Sequence, residues 1–171
     1  MRGRWIRWTL PLALAAFVGV GVAMAATKAT GSSGATVKTA ASSKYGTVLV
    51  AANGMTLYRF TPDKKGVSTC TGKCAKFWPP LVLKGTAKET AGSGASSALL
   101  GEVMLANGAA QVTYAGYPLY YYAGDKKPGD VAGEGVEKVW YVVNPKGALV
   151  KSAVTAAKTT STSSGGGAAW G

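Results

Sequence analysis

The feature that most constrains this chain is a repeat. Sliding the sequence against itself by 62 positions, without a gap from Gly54 to Trp78, pairs Gly54 with Gly116, Leu57 with Leu119, Tyr58 with Tyr120 and Asp63 with Asp125. It also pairs Lys64 with Lys126, Lys65 with Lys127, Lys76 with Lys138 and Trp78 with Trp140, 8 identities in 25 positions. Two such units read as one supersecondary element used twice, each copy completing a core that neither buries alone. Each unit opens with a strand-like run (Thr47 to Ala51; Gln111 to Tyr114), turns at Asn53-Gly54 or Ala115-Gly116, and continues in a second β-rich run (Met55 to Phe60; Tyr117 to Tyr122). Asn-Gly is a strong hairpin signal because the turn demands positive φ.

Within the second run, Tyr58-x-Phe60-x-x-Asp63 recurs as Tyr120-x-Tyr122-x-x-Asp125. The two-residue period of a strand places the aromatics of each copy on one face and sends Tyr121 to the other. Each aspartate, followed by Lys-Lys, ends the strand in a turn. The predicted fold is mostly β: two tandem pseudo-symmetric repeats, 44–83 and 103–150, in one compact barrel or sandwich spanning 44–152. The stretch 84–97 reads as a surface loop, and 97–104 as a short helix or strand.

Residues 1–25 read as a signal peptide: Arg2, Arg4 and Arg7 precede an apolar run from Leu10 to Val22, and Ala23-Met24-Ala25 supplies small residues for cleavage. If it is not cleaved, the same run serves as a membrane anchor, the sole membrane attachment expected. Residues 26–43 are small and polar and read as a flexible linker, and 153–171 as a disordered tail. The expected location is outside the cytoplasm: secreted, periplasmic or on the outer face of the cell envelope. Without the three leader arginines, 16 basic residues face 7 acidic ones. That balance suits an anionic envelope component, or another envelope protein, as partner. The scattered lysines lack the arginine–aromatic pattern of a nucleic-acid reader.

The chain has no histidine, which excludes Ser-His-Asp and Cys-His catalysis, Cys-x-x-Cys-His haem attachment and imidazole metal sites. Cys70 and Cys74, the only cysteines, frame Thr71-Gly72-Lys73. In an exported chain a disulfide is the default. The alternative is a thiol redox or copper(I) site, with Lys73 lowering a thiol pKa and Met55 or Met104 adding a thioether. Asp63 and Asp125 have two readings, a carboxylate pair brought together by the pseudo-two-fold or two turn-opening side chains. The cluster Tyr114, Tyr117, Tyr120, Tyr121, Tyr122, Trp140 and Tyr141 reads as core or as a stacking platform, with Tyr121, Trp78 and Trp140 the candidate binding residues.

The segments G-T-V-L-V, G-M-T-L-Y-R-F-T-P-D, C-T-G-K-C and W-P-P-L, then Y-A-G-Y-P-L-Y-Y-Y-A-G-D, P-G-D and W-Y-V-V, resemble the bacterial secreted-repeat family. These are the predicted lipoproteins with a Tyr-x-(Phe/Trp/Tyr)-x-x-Asp motif. The resemblance covers residues 45–150 and implies an extracytoplasmic protein with no assigned chemistry. The chain lacks the lipid-bearing cysteine of many members. The chain reads as a non-catalytic binding module without a cofactor, against an envelope redox or copper-handling protein centred on Cys70 and Cys74.

Overall fold

A computed structural model describes residues 34–153, which form one compact unit. The expected signal peptide, the linker up to residue 33 and the tail from residue 154 lie outside the described residues. Eight strands follow in order: β1 (Thr36–Ser42), β2 (Gly46–Ala51), β3 (Tyr58–Phe60), β4 (Thr90–Ala91), β5 (Leu100–Met104), β6 (Ala110–Tyr114), β7 (Tyr117–Pro118) and β8 (Trp140–Val142). One helix, α1 (Lys73–Phe77), follows β3. The strands form three small sheets, β2-β1-β4, β3-β8 and β5-β6-β7, which do not close into a barrel.

The two copies are interlocked, each finishing the other. In the first, the N–H of Leu49 donates to Val143 O at 2.8 Å; in the second, that of Val112 donates to Leu81 O at 2.8 Å. The opening strand of each repeat therefore pairs with the closing segment of the other. Likewise Tyr58 lies opposite Val142 and Phe60 opposite Trp140 across β3-β8, while Tyr120 bridges to Pro80, 62 positions before Val142. The pseudo-two-fold passes between Tyr58 and Tyr120, which exchange both backbone hydrogen bonds, at 2.9 and 3.0 Å.

This layer of backbone separates two cores, so alternation along a strand chooses between apolar environments instead of between core and water. From β2, Leu49 and Ala51 enter an aliphatic core with Leu57, Leu81, Val112, Leu119 and Val143. Val48 and Val50 enter an aromatic core with Tyr58, Trp78, Tyr120, Trp140 and Val142. Tyr58 and Phe60 share a face as expected. Tyr121 does not point freely outward: it is half-buried against the aliphatic core, because the opposite face of its strand is also covered.

Two further expectations change. Residues 36–42 of the expected linker form β1, paired with β2 from Val37–Ala51 to Ser42–Gly46. Val37, fully buried in the aliphatic core, anchors the strand, and six cross-strand positions supply the backbone pairing that its small side chains do not advertise. The expected loop 84–97 contains β4, which runs parallel to the start of β1. Both readings of 97–104 hold in turn, since a 3-10 turn at Ser97–Leu99 leads into β5. The Ala115-Gly116 turn takes positive φ at both residues, 52° and 84°, whereas at Asn53-Gly54 only the glycine does, at 81°. Asn53 instead accepts from the Met55 N–H through Oδ1 at 3.1 Å.

Candidate functional site

The repeated motif forms a reciprocal clasp between the copies. The Tyr58 hydroxyl donates to Asp125 Oδ2 at 2.8 Å, and the Tyr120 hydroxyl donates to Asp63 Oδ2 at 2.6 Å. Each tyrosine thus bonds the aspartate of the other repeat, not the one five residues along its own chain. The second carboxylate oxygens tie down the loops that follow: Asp63 Oδ1 accepts from the N–H and hydroxyl of Thr69, at 2.7 and 2.6 Å. Asp125 Oδ1 accepts from the N–H of Ala132 at 2.9 Å. Since the Tyr120 hydroxyl spends its one hydrogen on Asp63, the Ser68 hydroxyl, 2.7 Å away, donates to the phenol oxygen.

Each carboxylate thus accepts from a phenol of the other repeat and from the loop six or seven residues further along its own chain, reaching beyond the tight turn that follows it. All four clasp side chains are buried. Burial, reinforced by the hydrogen bond to Asp125, pushes the Tyr58 phenol above its ordinary pKa, and burial with Asp63 does the same for Tyr120. Burial also raises the Asp125 pKa, partly offset by hydrogen bonds from Tyr58 and Ala132.

Between the two clasps lies a row of stacked rings. Phe60 stacks on Trp140 at 4.3 Å between centroids, Trp140 on Trp78 at 3.8 Å with planes 2° apart, and Trp78 on Tyr122 at 4.3 Å. The pseudo-two-fold relates Phe60 to Tyr122 and Trp78 to Trp140. Trp78 and Trp140 were candidate platforms for a ligand. Their faces are consumed by the stack, and they are 5% and 1% exposed, so a sugar ring has no free indole face to lie on. The row forms the floor of a groove of roughly 420 Å³ that Phe77, 63% exposed, Lys73, Cys74 and Glu137 also line. Phe77 is a lining residue that no sequence pattern points to. Its position on α1, beside Trp78, could have suggested exposure only if the helix had been foreseen.

Cys70 and Cys74 form a disulfide with Cα atoms 5.2 Å apart. Cys70 is buried in the aromatic core and Cys74, in α1, lines the groove. Met55 lines neither groove that the cysteines line, whereas Met104 shares a second cleft with Cys70. No group of three or more His, Cys, Asp or Glu able to hold a metal is present among the described residues.

The charges divide unevenly between interior and surface. Asp63 and Asp125 are internal acceptors, Glu134 accepts from the Val142 N–H at 2.6 Å, and Asp130 accepts from the N–H groups of Lys126 and Lys127. Lys88–Glu102, at 3.2 Å, is the one ion pair among the described residues. Of the thirteen lysines described, all but Lys38 are exposed. Arg59 is held differently, half-buried with its guanidinium 3.4 Å over the Tyr117 ring and Nη1 donating to Gly147 O at 2.9 Å. Burial lowers its pKa.

No helix among the described residues is long and apolar enough to cross a membrane. Neither a curated protein nor a solved structure matches the chain. A family described as a secreted repeat of unknown function matches twice, over residues 39–82 and 103–144. Those two matches contain the two clasp tyrosines, their aspartates and the stacked indoles, and the chain belongs to this family of secreted repeats.

Proposed function

We propose that the domain is a non-catalytic extracytoplasmic binding module that holds an anionic component of the cell envelope on its lysine-covered surface. The observation that carries this reading is the division of charge: four of seven acidic side chains are used as acceptors for backbone or phenol donors, while twelve lysines face solvent. With fourteen Lys and Arg against seven Asp and Glu among the described residues, the field outside the domain is positive, and such a field attracts polyanions in a salt-dependent way. The interlocked repeats supply a rigid support for that surface.

The test measures binding of the purified protein to a soluble phosphodiester polymer and, separately, to phosphatidylglycerol vesicles. The reading expects binding to at least one, weakening as salt is added, and loss in the variant Lys64→Glu, Lys65→Glu, Lys126→Glu, Lys127→Glu. Which probe binds distinguishes a wall polymer from a lipid surface. Failure to bind either at low salt overturns the proposal.

A second reading, thiol redox or copper(I) handling, is favoured by the position of Cys74 in the groove beside exposed Lys73. It expects the disulfide to be opened by a mild dithiol and the reduced protein to bind copper(I). A bond that resists mild dithiol overturns it.

A further inference from the structure

Binding makes no use of the most ordered feature of the interior. Six rings lie in one continuous chain: the row Phe60–Trp140–Trp78–Tyr122, with Tyr120 edge-on to Trp140 at 5.2 Å and Tyr58 edge-on to Trp78 at 5.4 Å. Every step is a van der Waals contact, and electron transfer between rings falls off steeply with distance. Indole is readily ionised, and a second indole stacked parallel to it shares the positive charge. Phenol oxidation needs somewhere for the proton to go, and here each phenol already points its hydrogen at a carboxylate.

The geometry points to a second activity: the aromatic core relays one-electron oxidising equivalents from the groove to Tyr58 and Tyr120, with Asp125 and Asp63 receiving the protons. A one-electron oxidant at the groove, of the high-potential metal-complex or oxygen-radical class, takes one electron from the Trp78–Trp140 pair and leaves an indole radical cation. An electron then moves from Tyr58 to that cation while the Tyr58 O–H bond breaks and its proton passes to Asp125 Oδ2. The products are a neutral tyrosyl radical, a neutral carboxylic acid and a restored indole. A one-electron reductant of the ascorbate or thiol class returns the electron, and Asp125 returns the proton. The same step runs between Tyr120 and Asp63.

Several observations support the relay. The end rings Phe60 and Tyr122 are only half-buried and line the groove, which gives the oxidant a contact point. The interior tyrosines are shielded from solvent, which protects a radical from side reactions. Burial raises the proton affinity of Asp125 and so strengthens it as an acceptor.

The test generates the oxidant by light, using a ruthenium polypyridyl complex with a sacrificial electron acceptor, and follows radicals by transient absorbance and electron paramagnetic resonance. The expected result in the unmodified protein is a tryptophan radical that decays into a long-lived tyrosyl radical. The tyrosyl signal disappears in the folded Tyr58→Phe, Tyr120→Phe double variant, leaving the tryptophan radical. A tyrosyl signal of unchanged size in that variant overturns the relay, because it would arise on tyrosines outside the clasp, Tyr122 in the row or those at the surface. If the double variant does not fold, the unmodified protein decides: after full exchange into deuterium oxide, tyrosyl formation slows if the proton moves with the electron. An unchanged rate overturns the proposal.

Discussion

Replacing Tyr58 by Phe removes one hydroxyl and little volume, so its effect isolates the clasp. The hydroxyl donates to a buried carboxylate at 2.8 Å and accepts, more weakly, from the Gly133 N–H at 3.3 Å. A hydrogen bond to a charged acceptor contributes about 1.5–3 kcal/mol, and Asp125 keeps only its bond from Ala132. We expect a loss of about 2 kcal/mol at neutral pH. For a domain of this size that lowers the melting temperature by roughly 8 °C. The loss also depends on pH in a defined direction. Asp125 has a raised pKa in the folded protein, and the Tyr58 hydroxyl is one of the groups holding it down. An acid whose pKa is raised on folding binds more protons folded than unfolded, so its contribution to stability falls as pH rises through that window. Without the hydroxyl the pKa rises further and the window widens. Protonation removes the buried charge that Tyr58 stabilises, so the gap between variant and parent should narrow as the pH is lowered from neutral toward the ordinary carboxylate pKa of about 3.9. Urea unfolding followed by tryptophan fluorescence at a series of pH values measures it. A gap that stays constant or widens on acidification would refute the reasoning.

Three other perturbations test neighbouring parts of the account by thermal melting. A Cβ at Gly133 would lie 2.8 Å from Trp78 and 2.9 Å from Tyr58, so Gly133→Ala should destabilise by about 1–3 kcal/mol through overpacking; a neutral result would contradict the tight seat drawn for these rings. Replacing both Cys70 and Cys74 by Ser should cost about 2 kcal/mol, the chain-entropy value for so short a loop, and leave salt-dependent polymer binding intact; loss of binding would move the functional centre to the disulfide. Val37→Ala, at a fully buried position of β1, should cost about 2 kcal/mol, whereas a flexible linker there would give no change.

The repeat itself was legible because identical residues recur at one spacing, and the aromatic alternation placed Tyr58 and Phe60 correctly on one face. The clasp was not. Spacing along the chain links each tyrosine to the aspartate five residues later, and the exchange between copies exists only once the closing strands have crossed over. For the same reason Trp78 and Trp140, two separate aromatics in sequence, gave no sign that they would cover one another's faces. Tyr121 was misplaced by the assumption that a strand has a wet side, which fails where both faces meet a core. β1 escaped notice because its side chains are small and polar apart from Val37, and its stability comes from backbone pairing and neighbours. The disulfide was readable from two cysteines in an exported chain, but the groove beside it and exposed Phe77 depended on the packing of α1.

The central claim is that the family motif fastens one repeat to the other. Double-mutant cycles measured by urea unfolding, one for Tyr58→Phe with Asp125→Ala and one for Tyr58→Phe with Asp63→Ala, test it directly. The account predicts a coupling energy of about 0.5–3 kcal/mol for the first pair, which spans the two repeats, and additivity for the second, which lies within one. Coupling to Asp63 and independence from Asp125 would contradict it.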